Sequence, residues 1–193
     1  MTASPEHRKR VRHFDEPGHA HELTFSCDRR LPLLTRDGWM DRLAQRIDAA
    51  IQRHDFRLIG FVFMPEHIHL VVLPGRPAAT VGELLYGIKR PFSFRVKQLL
   101  QLSQDRLLEE LTVRERPGKQ CVRFWQEGPG YDRNLTSREA VLTALDYFQQ
   151  NPVVRGLCNS AAEWRWSSWT HYHFPKLPAD PALPRLASLP DWF

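Results

Sequence analysis

Four side chains set the chemistry this sequence offers: His67, His69, Tyr147 and Asn151. The two histidines stand two apart in Met64-Pro65-Glu66-His67-Ile68-His69-Leu70-Val71-Val72, a run that is otherwise largely apolar. On a strand, side chains alternate, so both imidazoles share one face while Ile68, Leu70 and Val72 share the other. Neutral imidazoles side by side suit a divalent ion. Histidines set into an apolar strand also need a partner, which a metal would supply. The plainer reading is a pair of half-exposed strand histidines. Tyr147 and Asn151 fall in Ala144-Leu145-Asp146-Tyr147-Phe148-Gln149-Gln150-Asn151-Pro152. At about 100° per residue, Val141, Leu142, Ala144, Leu145 and Phe148 form the core stripe of a helix. Tyr147 lies well off that stripe, and Asn151, one turn later, shares its face. Such a tyrosine either presents its hydroxyl to a site or is a boundary residue with a packed ring and a wet hydroxyl.

These residues need elements to hold them. Glu22 to Cys27 reads as a first strand. From Thr35 to about His54, Trp39, Leu43, Ile47 and Ile51 recur every four positions, which predicts an amphipathic helix. Phe56 to Met64 and His67 to Leu73, separated by Pro65-Glu66, read as a hairpin. Thr80 to about Leu111 is helical in pattern, with Pro91 as a kink or break. Arg114 to Gln120 reads as a charged connector, and one more short strand falls within Val122 to Leu135. Thr136 to about Gln150 is the helix bearing Tyr147, with Thr136 and Glu139 fitting a capping box. The first six elements match the split βαβ of a ferredoxin-like α+β fold, an antiparallel sheet with helices packed on one face, plus a C-terminal helix. His67 to Leu73 is then the third strand, central in the sheet. Residues 1–18 read as a flexible basic arm, 19–174 as the domain and 175–193 as a Pro-rich tail trailing over the surface.

The chain has 193 residues, enough for one domain with a core. Lys and Arg number 27 against 22 Asp and Glu, a net charge of +5 that favours polyanionic partners. Cys27, Cys121 and Cys158 are scattered and form no C-x-x-C pair, as expected of free thiols in a reducing compartment. The polar N-terminus lacks the apolar stretch of a signal peptide, and no segment is long and apolar enough to span a bilayer. The expectation is a bacterial cytoplasmic, nucleoid-associated protein without a membrane partner.

Taken together, the runs M-P-E-H-I-H-L-V-V and L-D-Y-F-Q-Q-N-P-V-V-R-G-L, followed by E-W-R-W-S-S-W, resemble the IS200-like, single-tyrosine HUH transposases. Within that family they are most similar to the REP-associated tyrosine transposases. The resemblance runs from about Glu22 to Tyr172 and implies a ferredoxin-like fold. It implies that His67 and His69 bind Mg²⁺ or Mn²⁺, that Asn151 is the third protein ligand and that Tyr147 is the nucleophile. The activity implied is an endonuclease and transposase acting on single-stranded or hairpin DNA through a 5′-phosphotyrosine. A base must activate the tyrosine; a metal-bound water is the first candidate and Glu66 the second. Lys89, Arg90, Arg95 and Lys97 are candidates for gripping DNA phosphates. Trp125, Trp164, Trp166 and Trp169 offer stacking surfaces, or core and buttress residues, and Ser167 and Ser168 are expected as structural hydrogen-bonders. The G-T-[WY] triplet that family members carry near the start is missing from Pro17-Gly18-His19-Ala20-His21-Glu22-Leu23-Thr24-Phe25.

Two other readings compete. A hairpin-binding protein that kept the fold without catalysis would have no need of all four residues. A hydrolytic metallonuclease, with Tyr147 merely structural, would turn over without a protein–DNA adduct. The sequence leaves open whether the protein acts as a monomer or a homodimer.

Overall fold

The computed structural model describes residues 15–189. Of the expected basic arm, residues 1–14 lie outside that range. Its last residues are docked: the Asp15 carboxylate accepts a hydrogen bond from Val81 N at 2.8 Å.

Strand β1 (Ala20–Ser26) leads through two short 3₁₀ turns to helix α1 (Trp39–Arg53). Strands β2 (Phe56–Phe63) and β3 (His67–Pro74) form the expected hairpin, followed by α2 (Val81–Leu102) and the short α3 (Leu107–Leu111). The sheet order is β2-β3-β1-β6, with β6 at Tyr131–Leu135 and every pairing antiparallel. Strands β1 and β3 are therefore central, as the split βαβ pattern requires. Leu23, Phe25, Ile68, Leu70 and Val72 point to one face and pack under α1 and α2. Val71, Leu73, Ile59 and Val62 point to the other, under α4 (Arg138–Gln149). The helix bearing Tyr147 thus covers the face opposite the main helical layer.

Three local expectations need correction. Pro91 does not break α2, which runs unbroken for 22 residues. Proline inside a helix costs about 3 kcal/mol. Burial of Leu84, Leu85, Ile88, Phe92 and Val96 around it outweighs that, at about 1.5–3 kcal/mol for each large apolar side chain. The charged connector is instead a two-stranded hairpin, β4 (Thr112–Arg116) and β5 (Lys119–Val122), turning at Pro117-Gly118, where Gly118 has φ of +75°. Its strands are mostly exposed, so no hydrophobic alternation betrayed them. The cap of α4 is Ser137, whose Oγ accepts from Ala140 N at 3.1 Å, rather than Thr136.

The Trp-Ser-Ser segment closes the β2 edge. Phe63 N donates to Trp166 O and Ser168 N to Phe61 O, both at 2.9 Å, and Val62 bridges Ser167. Further along, Ala187 N donates to Leu58 O at 2.8 Å, while Leu183, Leu186 and Leu189 pack against the two cores. The Pro-rich stretch therefore does not simply trail over the surface; its later part covers an edge that would otherwise expose unpaired backbone. Among the described residues no helix is long and apolar enough to cross a membrane.

Candidate metal and nucleophile centre

Register explains where the centre forms. In the β1–β3 pairing Thr24 lies opposite His69 and Ser26 opposite His67, so the two imidazoles and these hydroxyl residues share one face at one end of the sheet. Phe148 of α4 stacks on His69 with ring centroids 5.7 Å apart and an interplanar angle of 10°. That contact seats the end of α4 over β3. After Gln150 the chain continues as α5 (Asn151–Val154), which brings Asn151 beside the histidines.

The Nε2 atoms of His67 and His69 are 3.0 Å apart, and Asn151 Nδ2 is 3.0 Å from His69 Nε2. Rotating the amide by half a turn places Oδ1, the ligating atom, there instead. Two ligand atoms at right angles on an ion with bonds of about 2.1 Å lie about 3.0 Å apart, so the imidazole spacing fits the bite of a divalent ion. No cluster of three or more His, Cys, Asp or Glu side chains is placed to hold a metal among the described residues. The set here is two imidazoles and a carboxamide.

The surroundings orient these donors. His67 Nδ1 is 3.0 Å from Glu66 Oε1, a carboxylate oxygen that only accepts, so the proton sits on Nδ1 and the Nε2 lone pair faces the centre. Thr24 Oγ1 is 2.9 Å from His69 Nδ1 and can fix the same tautomer. Arg155 Nη1 donates to the same Glu66 oxygen at 2.9 Å. Burial pushes the His69 pKa down to about 3, helped by the neighbouring His67. Burial also lowers that of His67, more than the Glu66 carboxylate raises it. Both rings are neutral near pH 7, the form that ligates metal. Burial of Glu66 would raise its pKa, but His67 and Arg155 outweigh it and hold the carboxyl below its usual value. Glu66, expected as a candidate base, has Oε1 committed to two donors.

Tyr147 is 67% exposed, one turn before Asn151, and no hydrogen bond holds its hydroxyl among the described residues. The ring is open to solvent near the end of α4, just before the chain passes into α5 and Asn151.

Lys89, Arg90, Arg95 and Lys97 are not part of this centre. All four lie on α2, on the other side of the sheet. Lys89 turns inward: Nζ donates to Gly128 O at 2.7 Å and sits 5.3 Å from the Phe25 ring, and burial lowers its pKa to about 8. Arg90 lies over the exposed Tyr86 ring at 5.2 Å, and Arg95 Nη1 donates to Gln98 Oε1 at 3.4 Å. Lys97 is half-buried. Of the tryptophans, Trp125 is core and Trp164 is tied by Nε1 to Phe63 O at 2.9 Å. Trp166 stacks on Phe63, and Trp169 stacks on His173.

Sequence reasoning missed Thr24, Arg155 and Gln149. Thr24 needs the β1–β3 register, which no local pattern supplies. Arg155 follows Asn151 by four residues, a spacing that could have flagged it. Gln149 is buried and donates to Ser168 Oγ at 3.0 Å, and that oxygen also accepts from Phe61 N at 3.1 Å. One hydroxyl thereby ties the Tyr147 helix to the edge strand. Close packing at the same place requires Gly60, where a Cβ would lie 2.2 Å from Leu145 Cδ2.

The chain superposes on a solved REP-associated tyrosine transposase bound to a REP hairpin with a TM-score of 0.65, covering 94% of this chain and 99% of that one at 18% identity. The fold is that of a REP-associated tyrosine transposase. A candidate transposase from Deinococcus radiodurans R1 aligns over 78% of this chain and 97% of its own at 16% identity, with a TM-score of 0.43, too low to establish a shared fold. No family model and no curated protein matches the sequence.

Proposed function

We propose that this protein is a metal-dependent transposase-type endonuclease that cuts and rejoins single-stranded DNA, at hairpin-forming sequences, through Tyr147. The carrying observation is the meeting of His67, His69 and Asn151 within 3.0 Å contacts, with an exposed tyrosine one turn before Asn151. The fold shared with a hairpin-bound transposase supports the reading.

His67, His69 and Asn151 would hold Mg²⁺ or Mn²⁺. Such an ion, when bound, polarises a scissile phosphate and offsets the charge that develops on it. Glu66 holds the His67 proton on Nδ1, and Thr24 does the same for His69, so both Nε2 lone pairs stay directed inward. Glu66 is assigned this orienting role rather than that of base. The Tyr147 oxygen attacks phosphorus, a Tyr–O–P bond forms and the P–O3′ bond breaks. The tyrosine gives up its proton and the leaving O3′ gains one. The product is a 5′-phosphotyrosine and a free 3′-OH, and the reverse reaction rejoins DNA without ATP.

The test is incubation with labelled hairpin DNA and Mn²⁺, resolved on denaturing gels beside Tyr147→Phe and His67→Ala. A covalent protein–DNA band in the wild type alone is expected. Binding without cleavage on any hairpin tried would favour the non-catalytic binder.

A further inference from the structure

We propose that a groove between α1 and α2 binds the phosphate backbone of nucleic acid, on the far side of the sheet from the histidines. This deepens the DNA-processing reading and rests on it. The groove encloses about 400 Å³ and is lined by Arg42, Gln45, Arg46 and Ala49 of α1 and by Phe92 and Arg95 of α2, among others. Positions 42, 45, 46 and 49 are spaced three and four apart, so they form one face of α1 turned toward its neighbour. That face delivers two guanidinium groups to the groove, and α2 contributes a third.

Nothing among the described residues neutralises them. No carboxylate lies within ion-pair distance of Arg42, Arg46 or Arg95, although Arg29, Arg36, Arg76, Arg123, Arg133, Arg155 and Arg165 all have such partners. Arg46 is half-buried, and its Nε is sealed from water with no acceptor. A partly desolvated cation beside two others, without a counter-charge, is unfavourable for the free protein. Guanidinium forks match phosphate oxygens two at a time, so a phosphate supplies both the missing charge and the missing acceptors. Beside the three arginines the lining is Gln45, Ala49, Pro91, Phe92 and Val96, with one carboxamide as its only other polar side chain. Three guanidinium groups against one carboxamide make phosphate, which carries no sequence information, the main ligand of the groove. Because it faces away from the histidines, it would anchor a part of the nucleic acid distant from the scissile bond, such as a paired stem.

The probe is a fluorescent DNA hairpin, with affinity measured by anisotropy across a salt series. Each phosphate neutralised contributes about 0.9 to the slope of log affinity against log salt for duplex DNA. For Arg42→Gln/Arg46→Gln/Arg95→Gln the slope should fall by roughly 1 to 3 and affinity should drop alike for unrelated hairpins. The triple lysine variant should retain most of the slope. Arg42 and Arg95 are exposed, and half-buried Arg46 has no ion-pair partner to lose, so thermal melting is expected to be unchanged or improved, which separates lost binding from lost fold. A wild-type slope in the triple glutamine variant would overturn the groove assignment while leaving the nuclease reading intact. Thermal stabilisation by inorganic phosphate that the glutamine variant loses, with an unchanged DNA slope, would mark a small-anion site and also overturn it. If the wild type bound no DNA hairpin at all, the nuclease reading and the groove would fall together.

Discussion

On one face of the sheet, Leu23, Phe25, Ile68, Leu70 and Val72 meet α1 and α2 in a continuous apolar layer. On the other, the same two central strands turn Thr24, His67 and His69 toward α4 and α5, where Phe148 covers one imidazole and Asn151 reaches it. Alternation along β1 and β3 makes both faces from the same residues' neighbours. The apolar face has one task, to exclude water. The histidine face gives up some of that burial to keep three ligand-type side chains in contact at the end of the sheet, and it uses Glu66, Arg155, Gln149 and Ser168 to hold the covering helix in place. Damage to the first face should therefore cost stability, and damage to the second should cost binding.

The sharpest contrast is between Leu70→Ala and His69→Ala. The former should lose about 2–5 kcal/mol in urea unfolding. The latter should stay folded by circular dichroism while calorimetric Mn²⁺ affinity falls by roughly 100-fold or more. Equal stability losses with unaltered Mn²⁺ affinity would erase the distinction between the faces. Next in size is Glu66→Ala, for which Mn²⁺ affinity should fall about 10- to 100-fold although no ligand atom is removed. Ser168→Ala strips partners from Phe61 N and Gln149 Nε2 and should cost about 1–3 kcal/mol. If the hydroxyl also seats the Tyr147 helix, adduct formation should slow under conditions where the variant is fully folded. The smallest effect concerns Lys89, whose pKa burial lowers to about 8. Its charged form is penalised only in the folded state, so Lys89→Met should melt higher than wild type near pH 7. That advantage should shrink as pH rises through 8 and vanish above the unfolded lysine value of about 10.4. An advantage that grew with pH would show that the Gly128 hydrogen bond outweighs desolvation.

How much of this was readable beforehand follows from where each signal resides. The hairpin of β2 and β3 and the shared face of His67 and His69 follow from alternation, which is local, and the two central strands from the element order that matches a split βαβ. The helix bearing Tyr147 was legible from its apolar stripe, whereas the separate short helix that carries Asn151 was not. Thr24 was not, because it meets His69 only through pairing across 45 residues of sequence. Arg95 was singled out beforehand, but Arg42 and Arg46 were not, for the same reason: each alone resembles a solvated charge, and only the packing of α1 on α2 assembles the groove. The contacts of Lys89 were equally illegible, since its Nζ meets Gly128 O and the Phe25 ring only through the packing of distant segments. The β4–β5 hairpin escaped because polar strands exposed on the surface leave no hydrophobic period to read.

The measurement that bears most directly on the central claim is peptide mass spectrometry of the protein after reaction with hairpin DNA and Mn²⁺. The account predicts a nucleotide joined through its 5′-phosphate to the peptide bearing Tyr147, absent without Mn²⁺ and absent in His69→Ala. Cleaved DNA with that peptide unmodified, and undiminished cleavage by Tyr147→Phe, would contradict it and leave a hydrolytic nuclease in its place.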